Sequence, residues 1–281
     1  MRERPWATIV RAPSADGLVW FKACSPVQAF EPRLTAVLAT RWPDRTARVL
    51  AHDAERAWLL MADAGDPVAA SANDPAIWLR ALPMYAELQR GEISHAAEHL
   101  NEGVPDRRIE TLPALFDDLL GRALPIDSAE LERMRRFVPR FRQLCADLAA
   151  AHPVASIQHD DLHLRSLFVD GSLLRVLDWG DACLAHPFAT LVVTFHWLEV
   201  TNGLTPEDPW FGRLRDAYLE PWGQGLQPTL DLALRVGLVA QAIGWQRQRQ
   251  AMPDGYRPTF DPLFAELLRR LLARVVDRAA T

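Results

Sequence analysis

The spacing of apolar residues changes period near residue 62, and the change divides the chain. Before it, short β-branched and aromatic runs alternate with turn formers. Residues 6–10 alternate weakly, Leu18-Val19-Trp20-Phe21-Lys22 has strand composition, and residues 48–51 and 58–61 read as two further strands across a turn at 53–56. Residues 11–17 read as a loop joining the first two strands. Ser25-Pro26-Val27-Gln28 has the form of a capping box with proline at the first helical position, so a helix is predicted to start there. Phe30, Leu34 and Leu38 give it an apolar stripe, and Pro32 predicts a kink.

After Met61 the residues 62–67 read as a flexible connector, and from Trp78 onward the period is helical. Helices are predicted over 74–91, with Asp74 as cap and Gly91 as stop, over 112–124, and over 128–151 with Pro139 kinking or dividing the last. Further helices are predicted over 190–200, 211–222, 228–250 and 260–279. One segment, 156–181, breaks the helical period. There His159-Asp160-Asp161 ends a short apolar approach, and Leu167-Phe168-Val169, Asp170-Gly171 and residues 173–177 read as strand, tight turn, strand. A hairpin returns the chain to its start, so Asp178 is expected beside Asp161, with both carboxylates facing one cleft.

Composition changes this picture little. The 281 residues, 49% hydrophobic and 24% charged, are those of an ordinary globular protein with one large core or two modest ones. A net charge of −5 argues against general nucleic-acid binding. The start Met1-Arg2-Glu3-Arg4-Pro5 has no apolar segment behind it, and no apolar run is long enough to span a bilayer, so a cytoplasmic protein without membrane attachment is expected. The three cysteines are widely spaced, without a Cys-x-x-Cys pair, and predict neither a disulfide framework nor a zinc site.

Two carboxylates in one cleft suit phosphoryl transfer, where one orients or deprotonates the attacking hydroxyl and the other holds magnesium on the nucleotide phosphates. The strip His159-Asp160-Asp161-Leu162-His163, followed by the hairpin and Asp178-Trp179-Gly180, resembles the catalytic segment of the aminoglycoside phosphotransferase family. The family's usual form is His-Gly-Asp-Leu-His-Pro-Gly-Asn. The resemblance implies an α+β, two-lobed protein-kinase-like fold, with a small mainly β lobe at 1–62 and a larger helical lobe at 63–281. It implies Asp161 as catalytic base, His159 and His163 as shapers of the loop, and Asp178 as magnesium ligand. Lys22, the single lysine of the chain, would reach the nucleotide phosphates, Glu31 would pair with it, and Met61 to Asp63 would line the base of ATP or GTP.

Three departures mark the match. Asp160 stands for Gly, Leu164-Arg165 for Pro-Gly, and Ser166 for the metal-binding Asn, so that Ser166 is a weakened metal position. The implied partner is a small molecule bearing a hydroxyl. A few of Trp179, Trp197, Trp210, Trp222 and Trp245, beside Glu199, Glu207, Asp208 and Glu220, would suit a cationic one. The alternative reading is a protein that binds nucleotide or metabolite without transfer, to which Ser166, Pro32 and the glycine-poor loop at 11–17 point.

Overall fold

The computed structural model describes residues 1–15, 17–68 and 74–279. Strands β1 (Arg2–Arg4), β2 (Ala7–Ser14), β3 (Gly17–Cys24), β4 (Val49–Asp53) and β5 (Trp58–Ala62) form an antiparallel sheet in the order β1-β2-β3-β5-β4. The expected loop at 11–17 is mostly strand, because β2 and β3 stay in register from Ala7↔Cys24 to Ser14↔Gly17. Pro13 does not interrupt β2, since β1 pairs only with residues 7 to 9 and leaves the rest of β2 an edge, where proline is tolerated. Asp16 lies outside the described residues.

Helix α1 (Glu31–Arg41) buries Leu34 and Leu38, as its stripe predicts, but it starts later than expected. Pro26–Gln28 is a single 3₁₀ turn, and the Ser25 side chain makes no cap. Pro32 therefore falls in the first helical turn, where its missing N–H leaves no bond unmade, and no kink results.

The connector after β5 is not free. Asp66–Pro67 forms β6, which pairs antiparallel with β8 (Leu167–Asp170), and β8 pairs with β9 (Leu173–Val176) in the predicted hairpin. Gly65 has φ +92° and presses on the Val169 carbonyl with no room for a Cβ, so glycine is required on both counts. The hairpin also donates from the Val176 N–H to the Arg45 carbonyl at 2.8 Å, so the chain on either side of β4 and β5 is tied to it.

The rest is helical: α2 (Trp78–Glu92), α3 (Ala96–Asn101), α4 (Leu112–Leu120), α5 (Ser128–Ala149), α6 (Leu191–Asn202), α7 (Pro209–Leu219), α8 (Gln227–Ala251) and α9 (Arg257–Leu271). Asp74 caps a 3₁₀ turn ahead of α2, accepting from the Ala76 N–H at 2.8 Å. Helix α5 opens on a capping box of Asp127 and Glu130 and runs unbroken through Pro139. Among the described residues no helix is long and apolar enough to cross a membrane.

Gly91 does not stop α2. It makes room for the indole of Trp42, which lies where its side chain would be. Beside it the buried Glu92 carboxylate accepts from Trp42 Nε1 at 2.7 Å, Arg41 at 2.8 Å and His99 Nε2 at 2.8 Å, fastening α1 to α2 and α3. Gly91→Ala gains about 1 kcal/mol of helix propensity but overpacks against an indole fixed by a hydrogen bond. A net loss of about 1–2 kcal/mol in urea unfolding is expected; an unchanged or higher midpoint would mean that Trp42 moves aside.

Candidate active site

Strand β7 (Ser156–Gln158) pairs antiparallel with β10 (Cys183–Ala185), Gln158 opposite Cys183. The chain thus leaves β7 into the loop at 159–166, makes the hairpin and returns through Asp178 on the neighbouring strand. His159 closes that circuit from inside. Its Nε2 bonds the Leu177 carbonyl at 2.8 Å, and its Nδ1 accepts from the Asp161 N–H at 3.3 Å, which assigns the Nε2–H tautomer. Burial lowers its pKa and keeps the ring neutral. His159 is a strut between the two acidic residues, out of reach of solvent.

His163 acts on the open side. Its Nδ1 accepts from the Arg165 N–H at 3.0 Å, leaving Nε2 3.2 Å from Asp161 Oδ2, while its ring meets Trp197 edge-on at 5.1 Å. Asp161 is half exposed, with one carboxylate oxygen steered by His163. Ser166 is buried, and its Oγ accepts from the His163 N–H at 3.0 Å and donates to the His163 carbonyl at 2.8 Å. Its hydroxyl is occupied by its own loop and is not extended toward Asp178.

Lys22 joins the sheet to this hairpin. Its Nζ is 2.7 Å from Glu31 Oε1 and 2.5 Å from Asp178 Oδ1. Burial alone would lower the lysine pKa, but Asp178 and Glu31 outweigh it and raise it above the ordinary value, so Lys22 is charged. The same lysine lowers Asp178 and keeps it ionised, whereas burial raises Glu31. Asp178 is enclosed by charged groups on several sides, yet its side chain is 59% exposed to the cleft, which leaves a carboxylate oxygen open to a ligand. On the far side of β3, Met61 pairs with Trp20 in the sheet, and Asp63 accepts from Trp20 Nε1 at 2.8 Å.

The partners of Asp160, Asp181 and Gly180 carried no signal in the sequence. Asp160 has φ +60°, a left-handed backbone that suits the glycine of the resemblance and that aspartate tolerates better than most side chains. Its carboxylate pairs with the buried guanidinium of Arg107 and accepts from Gln158 Nε2 at 3.1 Å. Burial raises Asp160, with Arg107 opposing. Gly244 in α8 lies against the Arg107 guanidinium with no room for a Cβ. Asp181 accepts from Gln248 Nε2 at 2.7 Å and is pushed up to about 7 by burial and by the carboxylates of Asp161, Asp178 and Asp160. Gly180 is packed on the side chain of Gln28, which accounts for the glycine of Asp-Trp-Gly.

The Arg107–Asp160 pair is enclosed, so breaking it costs more than it stabilises. Arg107→Leu alone is expected to lose about 3–5 kcal/mol in urea unfolding by stranding Asp160. Adding Asp160→Gly, which suits the φ of +60°, should recover most of that loss; additive losses would show that the two do not act as a pair. Asp181 gives a pH signature. Its raised folded pKa contributes stability that is complete below the unfolded value near 4 and is lost as pH rises to about 7, with a slope of at most about 1.4 kcal/mol per pH unit. The stability of the metal-free protein relative to Asp181→Asn should therefore fall from pH 4 to 7, and a flat difference would mean that Asp181 ionises normally.

No protein-family model matches the chain, and no curated protein matches it. Solved structures do. The macrolide 2′-phosphotransferase of Brachybacterium faecium superposes with a TM-score of 0.62 at 19% identity, over 93% of this chain and 88% of that one. The choline kinase of Streptococcus pneumoniae gives 0.61 at 11% identity, over 94% and 88%. An aminoglycoside 2′-phosphotransferase in its GDP complex gives 0.60 at 12% identity, over 95% and 93%. At these identities what is shared is architecture, and the chain has the protein-kinase-like fold of the aminoglycoside and macrolide phosphotransferases and the choline kinases.

Proposed function

We propose that the protein transfers the γ-phosphoryl group of ATP or GTP to a hydroxyl of a small molecule. The observation that carries this reading is the charged Lys22 held between Glu31 and Asp178, with Asp161 on the adjoining loop steered by His163. Transfer needs little covalent help from a protein; positioning and charge stabilisation supply most of the catalysis. Lys22 is a fixed cation for the phosphates, and Glu31 keeps it in place. Asp161 is open to the cleft and free to take a hydrogen bond from an acceptor hydroxyl, orienting it and drawing off its proton. Met61 and Asp63 edge the sheet where the nucleotide base would sit, and the similarity to a phosphotransferase solved in its GDP complex supports nucleotide binding in general.

Magnesium would be held by Asp178, an ionised hard-oxygen ligand exposed to the cleft. Bound there, the ion would neutralise charge developing on the phosphates. Among the described residues no group of three or more His, Cys, Asp or Glu side chains is arranged around a metal position, so nucleotide oxygens and water would supply the remaining ligands. Ser166 does not fit as a second ligand, because its hydroxyl is engaged within its own loop. That observation also favours the second reading, a nucleotide-binding protein with little or no transfer.

The acceptor reading changes with the contacts of α6 and α7. Glu199 is bonded to Arg274 at 2.6 and 3.0 Å, and Asp208 caps α7 by accepting from the Trp210 N–H at 2.9 Å. Those two carboxylates are engaged and are not free to receive a cationic acceptor. Beside Asp161 stand His163, Trp197 and, a turn further along α6, the exposed Val200. This surroundings supports an uncharged acceptor with an apolar face.

Calorimetry with ATP and GTP, with and without magnesium, followed by turnover on hydroxyl acceptors, tests the proposal. Asp161→Asn should lower turnover about 10²- to 10⁴-fold while leaving magnesium-dependent nucleotide binding within about twofold; undiminished turnover would sink the assignment. If the wild type binds nucleotide without transfer, and Ser166→Asn brings gains in both magnesium affinity and turnover, the second reading holds.

A further inference from the structure

Helix α6 carries two faces. Thr194, whose hydroxyl donates to the Leu162 carbonyl at 2.9 Å, and Trp197, which meets His163, hold the catalytic loop. The opposite face, with Val192, Phe195 and Glu199, borders a cavity of about 520 Å³ closed by α7, α8 and the segment following α9. The helix itself stands between this cavity and Asp161. Its size is that of a small-molecule site.

The lining divides by chemistry. Val192, Phe195, Phe211 and Leu234 make an apolar wall, and Arg215, Arg235, Arg270, Arg274 and Arg278 bring guanidinium groups to the same space. Arg274 is matched by Glu199, Arg215 lies 2.8 Å from Asp216, and Arg278 is also engaged. Arg235 and Arg270 are not balanced in this way. Arg235 has no carboxylate partner among the described residues. Arg270 gives Nη2 to the neutral Gln241 amide at 2.8 Å, while its Nε is buried without an acceptor. Burial and the neighbouring Arg274 push Arg270 down to about 10. The carboxylates of Glu207 and Asp231 also border the cavity, but both residues are exposed at its mouth.

Glu199 and Glu266 act on Arg270 only through space; a buried guanidinium N–H at a cavity wants an oxygen acceptor, and two guanidinium groups with no carboxylate in hydrogen-bond contact favour one that is charged. The wall opposite wants carbon. We propose that this cavity is a second ligand site, for a small molecule with a carboxylate or phosphate head and an apolar body. The head sits on Arg270 and Arg235, and the body lies along Phe195 and Phe211. Because α6 also carries Thr194 and Trp197, an occupant touches the helix that supports the catalytic loop without entering the cleft.

Isothermal titration of the full chain with decanoate and with decyl phosphate, each below its micelle concentration, tests this. Decanol, acetate and inorganic phosphate serve as probes lacking either head charge or tail. At least one of the two amphiphiles should bind, at least tenfold more tightly than the three partial probes, and the tighter of the two identifies the head. Arg270→Gln and, separately, Arg235→Gln should each weaken it at least tenfold with the fold retained by circular dichroism, while Asp161→Asn leaves it unchanged. Absence of binding by both amphiphiles would overturn the site. So would decanol binding as tightly as decanoate, acetate or phosphate binding as tightly as their long-chain forms, or weakening by Asp161→Asn in place of Arg235→Gln.

Discussion

The structure depends on where a single buried ammonium finds its counter-charges. Taking a lysine out of water costs several kcal/mol unless opposite charges meet it at hydrogen-bond distance. Lys22 comes from the middle of the sheet, Glu31 from the first turn of α1, and Asp178 from the residue after the hairpin, far away in sequence. Each lies on a different element, so the pair of ion pairs forms only when sheet, helix and hairpin are all docked. The β6 strand, the Gly65 contact and the Val176–Arg45 hydrogen bond hold the same docking by backbone means. One group thus gives both cohesion between the sheet and the hairpin and a charged floor for the cleft.

The loop that faces Lys22 is held by a different device. Asp160 and Asp178 both have positive φ, a conformation that non-glycine residues adopt at a cost and that persists when surroundings fix it. For Asp178 the fixing partner is Lys22; for Asp160 it is Arg107, itself packed against Gly244 in α8. Between them His159 bridges the two segments from the buried side, and its neutrality matters, since a second cation there would compete with Lys22 for the carboxylates. The strain at Asp160 is sustained from the buried side, by Arg107 and Gly244, and that at Asp178 by Lys22.

These partners explain how far the sequence could be read. The hairpin, the change of period at residue 62 and the return of the chain at Asp178 toward the loop of Asp161 follow from local patterns, and the structure agrees with them because each is dictated within a few residues. Lys22 stood out as the single lysine. Pro32 and Gly91 were misread for one reason: propensity rules speak of breaking helices, whereas Pro32 sits in a first turn and Gly91 admits an indole; Pro139 does not divide α5. Arg107, Gln248 and Gln28 were invisible, since each reaches the loop or hairpin from a distant element and no local spacing marks a side chain that acts across the fold. The departure at Asp160 was the one trace of Arg107, and it reads as a substitution only after the ion pair is seen.

Ser166 brings these threads together. An amide in its place would project from the loop, whereas the serine hydroxyl folds back on the His163 carbonyl and closes the turn that presents Asp161. Under the proposed function, the position would support the orientation of Asp161 and leave metal holding to Asp178. Asp181 lies beside that charge cluster with its pKa raised by burial and by neighbouring carboxylates, and a cation arriving at Asp178 would relieve the same repulsion. Metal affinity and the ionisation of Asp181 are then coupled through Coulomb interaction alone, without any requirement that Asp181 touch the ion. A site that lacks one ligand can in this way gain negative charge as its metal arrives.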